Sequence, residues 1–316
     1  MSIKGLFLIL VSSFLFSGCS VIGKLIKVPS SEIVFIRSSI IFMMMLLLNI
    51  KMNTFGDRKV RPLLLVRGIF GSCCSLLYYY ALQRMELGNV CVIFLNTSSM
   101  ACLLSCIFGK RVTPLSIVSW LCMLLGALFM FRPESIFGLE NPGNRIKSVI
   151  ACYIAILFGG ITICIVKRVV DHQVHYTCLI TWATMSSSVV SGTMLLMNNQ
   201  FEIPSMQDAI LLLMLIIVSL SAQILLNKGI QLVNVFTGSF VSNFDIIISY
   251  ILGTFVFHEY LFWTSYVSAL LIFISAAVIA IDNYAPQYKI IEQEEREPLL
   301  SKTSSLLPPY DQVEDE

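Results

Sequence analysis

The chain has 316 residues, of which 57% are hydrophobic and 13% charged, and its mean hydropathy is +0.84. A soluble domain carries roughly 25% charged residues, so too few charges remain here to coat one. The net charge of +2 provides no basic field, and no nucleic-acid partner is expected.

A helix needs about 20 mostly apolar residues to cross the hydrocarbon core of a membrane. Windows of that kind fall at 4–26, 31–50, 62–83, 88–108, 114–132, 148–167, 176–197, 207–227, 233–257 and 261–281. Backbone groups in lipid must be bonded within their own segment, so each window is expected to be a helix. The expected fold class is therefore all-α: a polytopic membrane protein with ten transmembrane helices, in contact with membrane lipid. Within the first window, Phe16-Ser17-Gly18-Cys19 resembles the end of a signal peptide. The apolar run continues past Cys19 to Ile26, which favours a first transmembrane helix.

Most links are short. The stretch 133–147 carries Pro133, Asn141, Pro142 and Gly143 and divides the chain near its middle. The expected organisation is a five-helix half at 1–132, a central loop at 133–147, a second half at 148–281, and an acidic tail at 282–316. The tail composition predicts disorder. Placing the N-terminus in the cytosol puts nine Lys/Arg residues in inside loops and six in outside loops, the expected bias. Even parity then makes the C-terminus cytosolic too.

The halves show a faint repeat at an offset of 148, which pairs Ala81-Leu82-Gln83 with Gly229-Ile230-Gln231. Five helices per half force the second half to insert upside down. The expected architecture is two inverted five-helix repeats with a site near the midplane between them.

A charge in the membrane centre costs about 2.5–3.5 kcal/mol, so such a residue should face a partner or a wet cavity. Arg37, Arg67 and Asp245 meet this description. Arg presents a planar fork suited to carboxylate or phosphate. Asp245 could take a proton or pair with an Arg; a purely structural pair, or snorkelling to the headgroups, explains the same residues. Ser75 and Tyr79 are four apart and share a helix face. At the 148 offset they map to Gln223 and Asn227, so two inverted helices could aim polar faces at one space. Interhelical hydrogen bonding is the alternative for this set. Asn96 and Asn243 are further substrate-binding candidates. Asn96-Thr97-Ser98 fits a glycosylation sequon, but its place in the bilayer argues against modification.

The ten cysteines sit in apolar runs without a CxxC pair, and His172 and His175 have no third ligand nearby in sequence. No metal, cofactor or enzymatic activity is expected, since no nucleotide-binding or catalytic motif is present. In the tail, Glu295-Arg-Glu-Pro-Leu299-Leu300 fits an acidic dileucine signal, and Tyr310-Asp-Gln-Val313 fits a Tyr-x-x-hydrophobic signal. Clathrin-adaptor proteins are the expected readers, with cycling through endosome, lysosome or plasma membrane. Leu307-Pro308-Pro309-Tyr310 also resembles a WW-domain ligand.

Several stretches carry a family resemblance. Glu32-Ile-Val-Phe-Ile-Arg37 opens the second window, and Leu65-Val-Arg67-Gly68-Ile-Phe-Gly71 opens the third, which ends Tyr78-Tyr79-Tyr80-Ala81-Leu82. The last stretch is Asn243-Phe-Asp245 followed by Phe257-His258-Glu259 and an aliphatic helix. Residues 4–281 resemble the drug/metabolite transporter superfamily with EamA-type halves, most of all the G-type members of solute carrier family 35. The resemblance implies ten helices, cytosolic termini and transport of a small organic solute by alternating access. EamA halves usually carry a Glu before their fifth helix. Glu259 occupies that place in the second half, as a gating residue, whereas the first half has Lys110-Arg111. The expected function is secondary transport of a small, anionic organic solute. The alternative is a membrane regulator or scaffold that keeps the fold without transport.

Overall fold

The structure is a computed structural model and describes residues 3–48, 55–107, 113–131, 143–170, 174–198, 201–232, 244–258, 263–275 and 277–278. Every regular element among them is helical. In chain order these are α1 (Ile3–Leu25), α2 (Ser30–Leu48), α3 (Arg61–Leu82), α4 (Leu87–Leu95), α5 (Thr97–Ile107), α6 (Pro114–Phe131), α7 (Gly143–Val170), α8 (Tyr176–Asn198), α9 (Met206–Leu232), α10 (Phe244–Phe257) and α11 (Trp263–Ser275). Six of them, α1, α2, α3, α7, α8 and α9, are long and apolar enough to cross a membrane; the others are shorter. Phe7, Met43, Leu124, Leu213, Phe255 and Leu270, on six different helices, are each more than half exposed. Water would not tolerate that much apolar surface, whereas lipid tails cover it without cost.

Helix starts follow local chemistry. Pro62 stands in the first turn of α3, where a missing N–H is harmless. Ser205 caps α9: its Oγ accepts the Asp208 N–H at 3.2 Å and donates to the Asp208 carboxylate at 2.7 Å. The expected helix over 88–108 is instead two, α4 and α5, meeting at Asn96. There the Asn96 N–H bonds back three residues to Ile93, and the Thr97 hydroxyl donates to the Phe94 carbonyl at 2.6 Å. A side-chain hydroxyl thus competes with the backbone ladder and tightens the turn.

Two ends of the bundle are defined by contacts between links. At the upper end, Gln83 donates to the carbonyls of Ile26 and Val28, and the Glu202 N–H donates to the Glu32 carboxylate. At the lower end, the Trp182 indole donates to the Phe55 carbonyl at 3.1 Å. Thus α1 and α3 run upward and α2 runs down, while α8 runs up and α9 down. Gly229, near the end of α9, lies against Gly5 and Ile9 at the start of α1.

Residues from the first part of the chain pack chiefly on residues from the second. The main neighbours are α1 with α9, α3 with α7, α2 with α8, α3 with α8, α2 with α9, α5 with α7, α1 with α10, and α4 with α10. Small and hydroxylic residues make these approaches close, as is usual between helices in lipid. At Gly68 a Cβ would lie 2.9 Å from the Trp182 carbonyl oxygen, so α3 and α8 meet nearly backbone to backbone. Beside it Ser72 and Ser187 share a hydrogen bond of 3.0 Å.

Candidate functional site

A cavity of about 270 Å3 lies among α2, α3, α7, α8 and α9. It runs from Arg37 downward to Arg67, Leu179 and Asn227, near the lower end. Five of the sequence candidates line it together: Arg37, Arg67, Ser75, Gln223 and Asn227. Arg67 stands six residues into α3, about 9 Å along the helix axis. Its Nη1 donates to the Leu179 carbonyl at 3.0 Å, which fixes the guanidinium across the α3–α8 contact. The Arg37 Nη1 donates to the Tyr79 hydroxyl at 3.2 Å. In both arginines Nε is buried and has no hydrogen-bond partner. The Asn227 amide donates to the Gln223 carbonyl at 2.7 Å, one turn back on α9. No Asp or Glu occurs among the lining residues. Two half-buried cations without a lining carboxylate form a site with unspent donor capacity, which suits an anion.

The remaining candidates fall elsewhere. Tyr79 does not line this cavity. It is 3% exposed, stacked against Arg37 with 5.1 Å from the Arg37 Cζ to the ring centroid. The 148-offset pair Ser75 and Tyr79 is therefore split, Ser75 in the cavity and Tyr79 one turn above it. Asn96 is fully buried at the α4–α5 break, with both amide atoms unpartnered, and it is not a lining residue. Asp245 lies in the first turn of α10 and packs on α1, where its carbonyl accepts from Ser17 at 2.8 Å. Asn243, Glu259 and the tail residues Glu295, Leu299, Leu300, Tyr310 and Val313 lie outside the described residues. Among the described residues no group of three or more His, Cys, Asp or Glu could hold a metal ion.

The sequence reading missed Ser38, Thr162, Thr184 and Ser187, which also line the cavity. A signal for the last two was present: Thr181, Thr184, Ser186, Ser187, Ser188 and Ser191 crowd one apolar helix, α8. Several of these hydroxyls bond to the carbonyl four residues back, which satisfies them within the membrane.

Residues 3–132 and 146–281 each match the model of the EamA-like transporter family. The chain belongs to that family. As an EamA protein it is a multi-pass integral membrane transporter and not an enzyme. It is 25% identical over 293 residues to solute carrier family 35 member G1 of Homo sapiens, covering 89% of this chain and 80% of the relative. It is 27% identical over 235 residues to the pseudopaline exporter CntI of Pseudomonas aeruginosa, covering 72% of this chain and 78% of the exporter. A solved crystal structure aligns with a TM-score of 0.58 at 15% identity, covering 88% of this chain and 96% of the other. That last likeness concerns the fold alone.

Proposed function

We propose that this EamA protein is a secondary active transporter that moves a small organic anion by alternating access between two inverted five-helix halves. The carrying observation is that Arg37 and Arg67 line one cavity with Ser75, Gln223 and Asn227, and no lining carboxylate offsets them. A solute bearing a carboxylate or phosphate would take the free guanidinium edges, and the neutral amides and hydroxyls would set its orientation.

The pattern of helix neighbours supports the inverted halves. Exchange α1 with α7, α2 with α8, α3 with α9, the α4–α5 pair with α10, and α6 with α11. The pair α1–α9 then becomes α7–α3, α3–α8 becomes α9–α2, and α5–α7 becomes α10–α1, all of which are packed. The pairs α2–α8 and α4–α10 map onto themselves. The opposite directions of α2 and α8, and of α3 and α9, fit a two-fold axis in the membrane plane. The halves are 1–132 and 148–281. The lower end, with the N-terminus, faces the cytosol, and the tail from 282 onward carries the sorting signals there.

Uptake into proteoliposomes is the test, screened over organic anions with amines as controls. Arg37→Gln and Arg67→Gln should each cut anion uptake by about tenfold or more, the effect of removing one charge-assisted contact worth about 1.5–3 kcal/mol. If both variants fold and transport at the wild-type rate, the site assignment is wrong.

A further inference from the structure

A second cavity, of about 490 Å3, lies at the upper end. Its walls include Ser31, Leu76, Tyr80, Arg84, Met194 and Glu202, none of which lines the lower cavity. Along α3 the lining passes directly from Ser75 below to Leu76 above. Along α8 it passes from Ser187 to Met194, seven residues or about 10 Å. One buried layer therefore separates the two spaces. Its members include Val34, fully buried, and Tyr79. The Tyr79 ring is held from two helices. On α2, Arg37 stacks on it and donates to its hydroxyl. On α1, Gly23 lets the ring come so close that a Cβ there would lie 2.6 Å from Tyr79 Cε1.

We propose that Tyr79 and Arg37 form an upper gate, and that the upper cavity is a second station on one solute path. The proposal rests on the transporter reading above. Its physical basis is that Arg37 serves both parts: it lines the lower cavity, and it donates to Tyr79, which stands one turn above Ser75 and lines neither cavity. An anion that takes the unpartnered Nε edge competes with Tyr79 for the same guanidinium. An empty cavity leaves the clamp closed, and an occupied one loosens it. Alternating access needs a ligand that distinguishes the two states, and this contact supplies that difference. The upper station takes the same organic anion at Lys27 and Arg84; both are exposed and Glu202 in the same wall offsets part of their charge, so the attraction is weak and suits capture and release.

The test follows cysteine labelling in sealed proteoliposomes by a membrane-impermeant thiol reagent, read by mass at the reporter site. Ala183→Cys reports the lower cavity and Met194→Cys the upper one, on the same helix. The side from which Met194→Cys is labelled defines the upper face. From that face Ala183→Cys should react slowly. Tyr79→Phe keeps the ring and removes the hydroxyl, so it should speed Ala183→Cys labelling about fivefold, the effect of one hydrogen bond. Gly23→Ala displaces the ring instead and should act in the same direction. Unchanged Ala183→Cys labelling in both folded variants overturns the gate. So does labelling as fast as at Met194→Cys with Tyr79 and Gly23 intact. Labelling requires no solute, so loss of the gate and absence of transport are separate outcomes.

Discussion

Replacing Gly68 by Ala tests how the cavity is held in shape. A Cβ at this position would lie 2.9 Å from the Trp182 carbonyl oxygen and 2.7 Å from the Ser186 Cβ, with the Ser186 hydroxyl nearer still. A backbone oxygen cannot rotate away, so α3 and α8 must separate. Overpacking of this kind costs about 1–3 kcal/mol. At roughly 2–4 °C per kcal/mol for a chain of this size class, melting should fall by several degrees. The same separation lengthens the 3.0 Å bond from Arg67 to Leu179, which crosses the same contact, so anion uptake should fall as well. Gly71 is the internal control. A Cβ there meets Thr162 at 3.9 Å, ordinary contact, so Gly71→Ala should melt like the wild type. Adding Ser186→Gly to Gly68→Ala removes the serine clashes but leaves the Trp182 carbonyl, so rescue should be partial. Thermal melts of the purified protein in detergent decide the matter. If Gly68→Ala melts like the wild type, or if Gly71→Ala costs as much, the close-approach argument fails.

Ser119 bonds to the Ser275 hydroxyl and carbonyl, both at 2.9 Å, and ties α6 to α11. Ser119→Ala should cost about 0.6 kcal/mol per lost bond, a small drop in melting temperature, and a drop beyond 10 °C would show that another role was overlooked. Trp182→Phe keeps an aromatic ring against Phe55, 5.9 Å away, but removes the indole bond to the Phe55 carbonyl. A loss of about 1 kcal/mol is expected, and an unchanged melt would mean that the lower-end link is not held by that bond. In the tail, Leu299→Ala combined with Leu300→Ala should raise the cell-surface fraction in a biotinylation assay. An unchanged distribution removes the sorting assignment.

What the sequence determined by itself is local. Apolar runs of membrane length specify helices in lipid, because every backbone group must find its partner inside its own segment. The costly residues Arg37 and Arg67 announce a cavity, because a cation within the membrane must face a partner or water. Ser75 and Gln223, related by the 148 offset, both line the cavity. Tertiary structure decided which faces meet. The near-contact of α3 and α8 at Gly68 brings Thr184 and Ser187 to the site, and no local pattern encodes that pairing. Tyr79 shares a helix face with Ser75, yet it packs against Gly23 and Arg37 and does not line the cavity. Asp245 carries the same electrostatic cost as the arginines, yet its helix α10 packs on α1 and α4, and it does not line the cavity. The Asn96 break arises from one hydroxyl competing with one carbonyl, a contest that hydropathy does not register. Helix identity depends on solvent and backbone, which each segment meets alone. The site depends on small residues that let distant helices touch, and folding the whole chain settles those contacts.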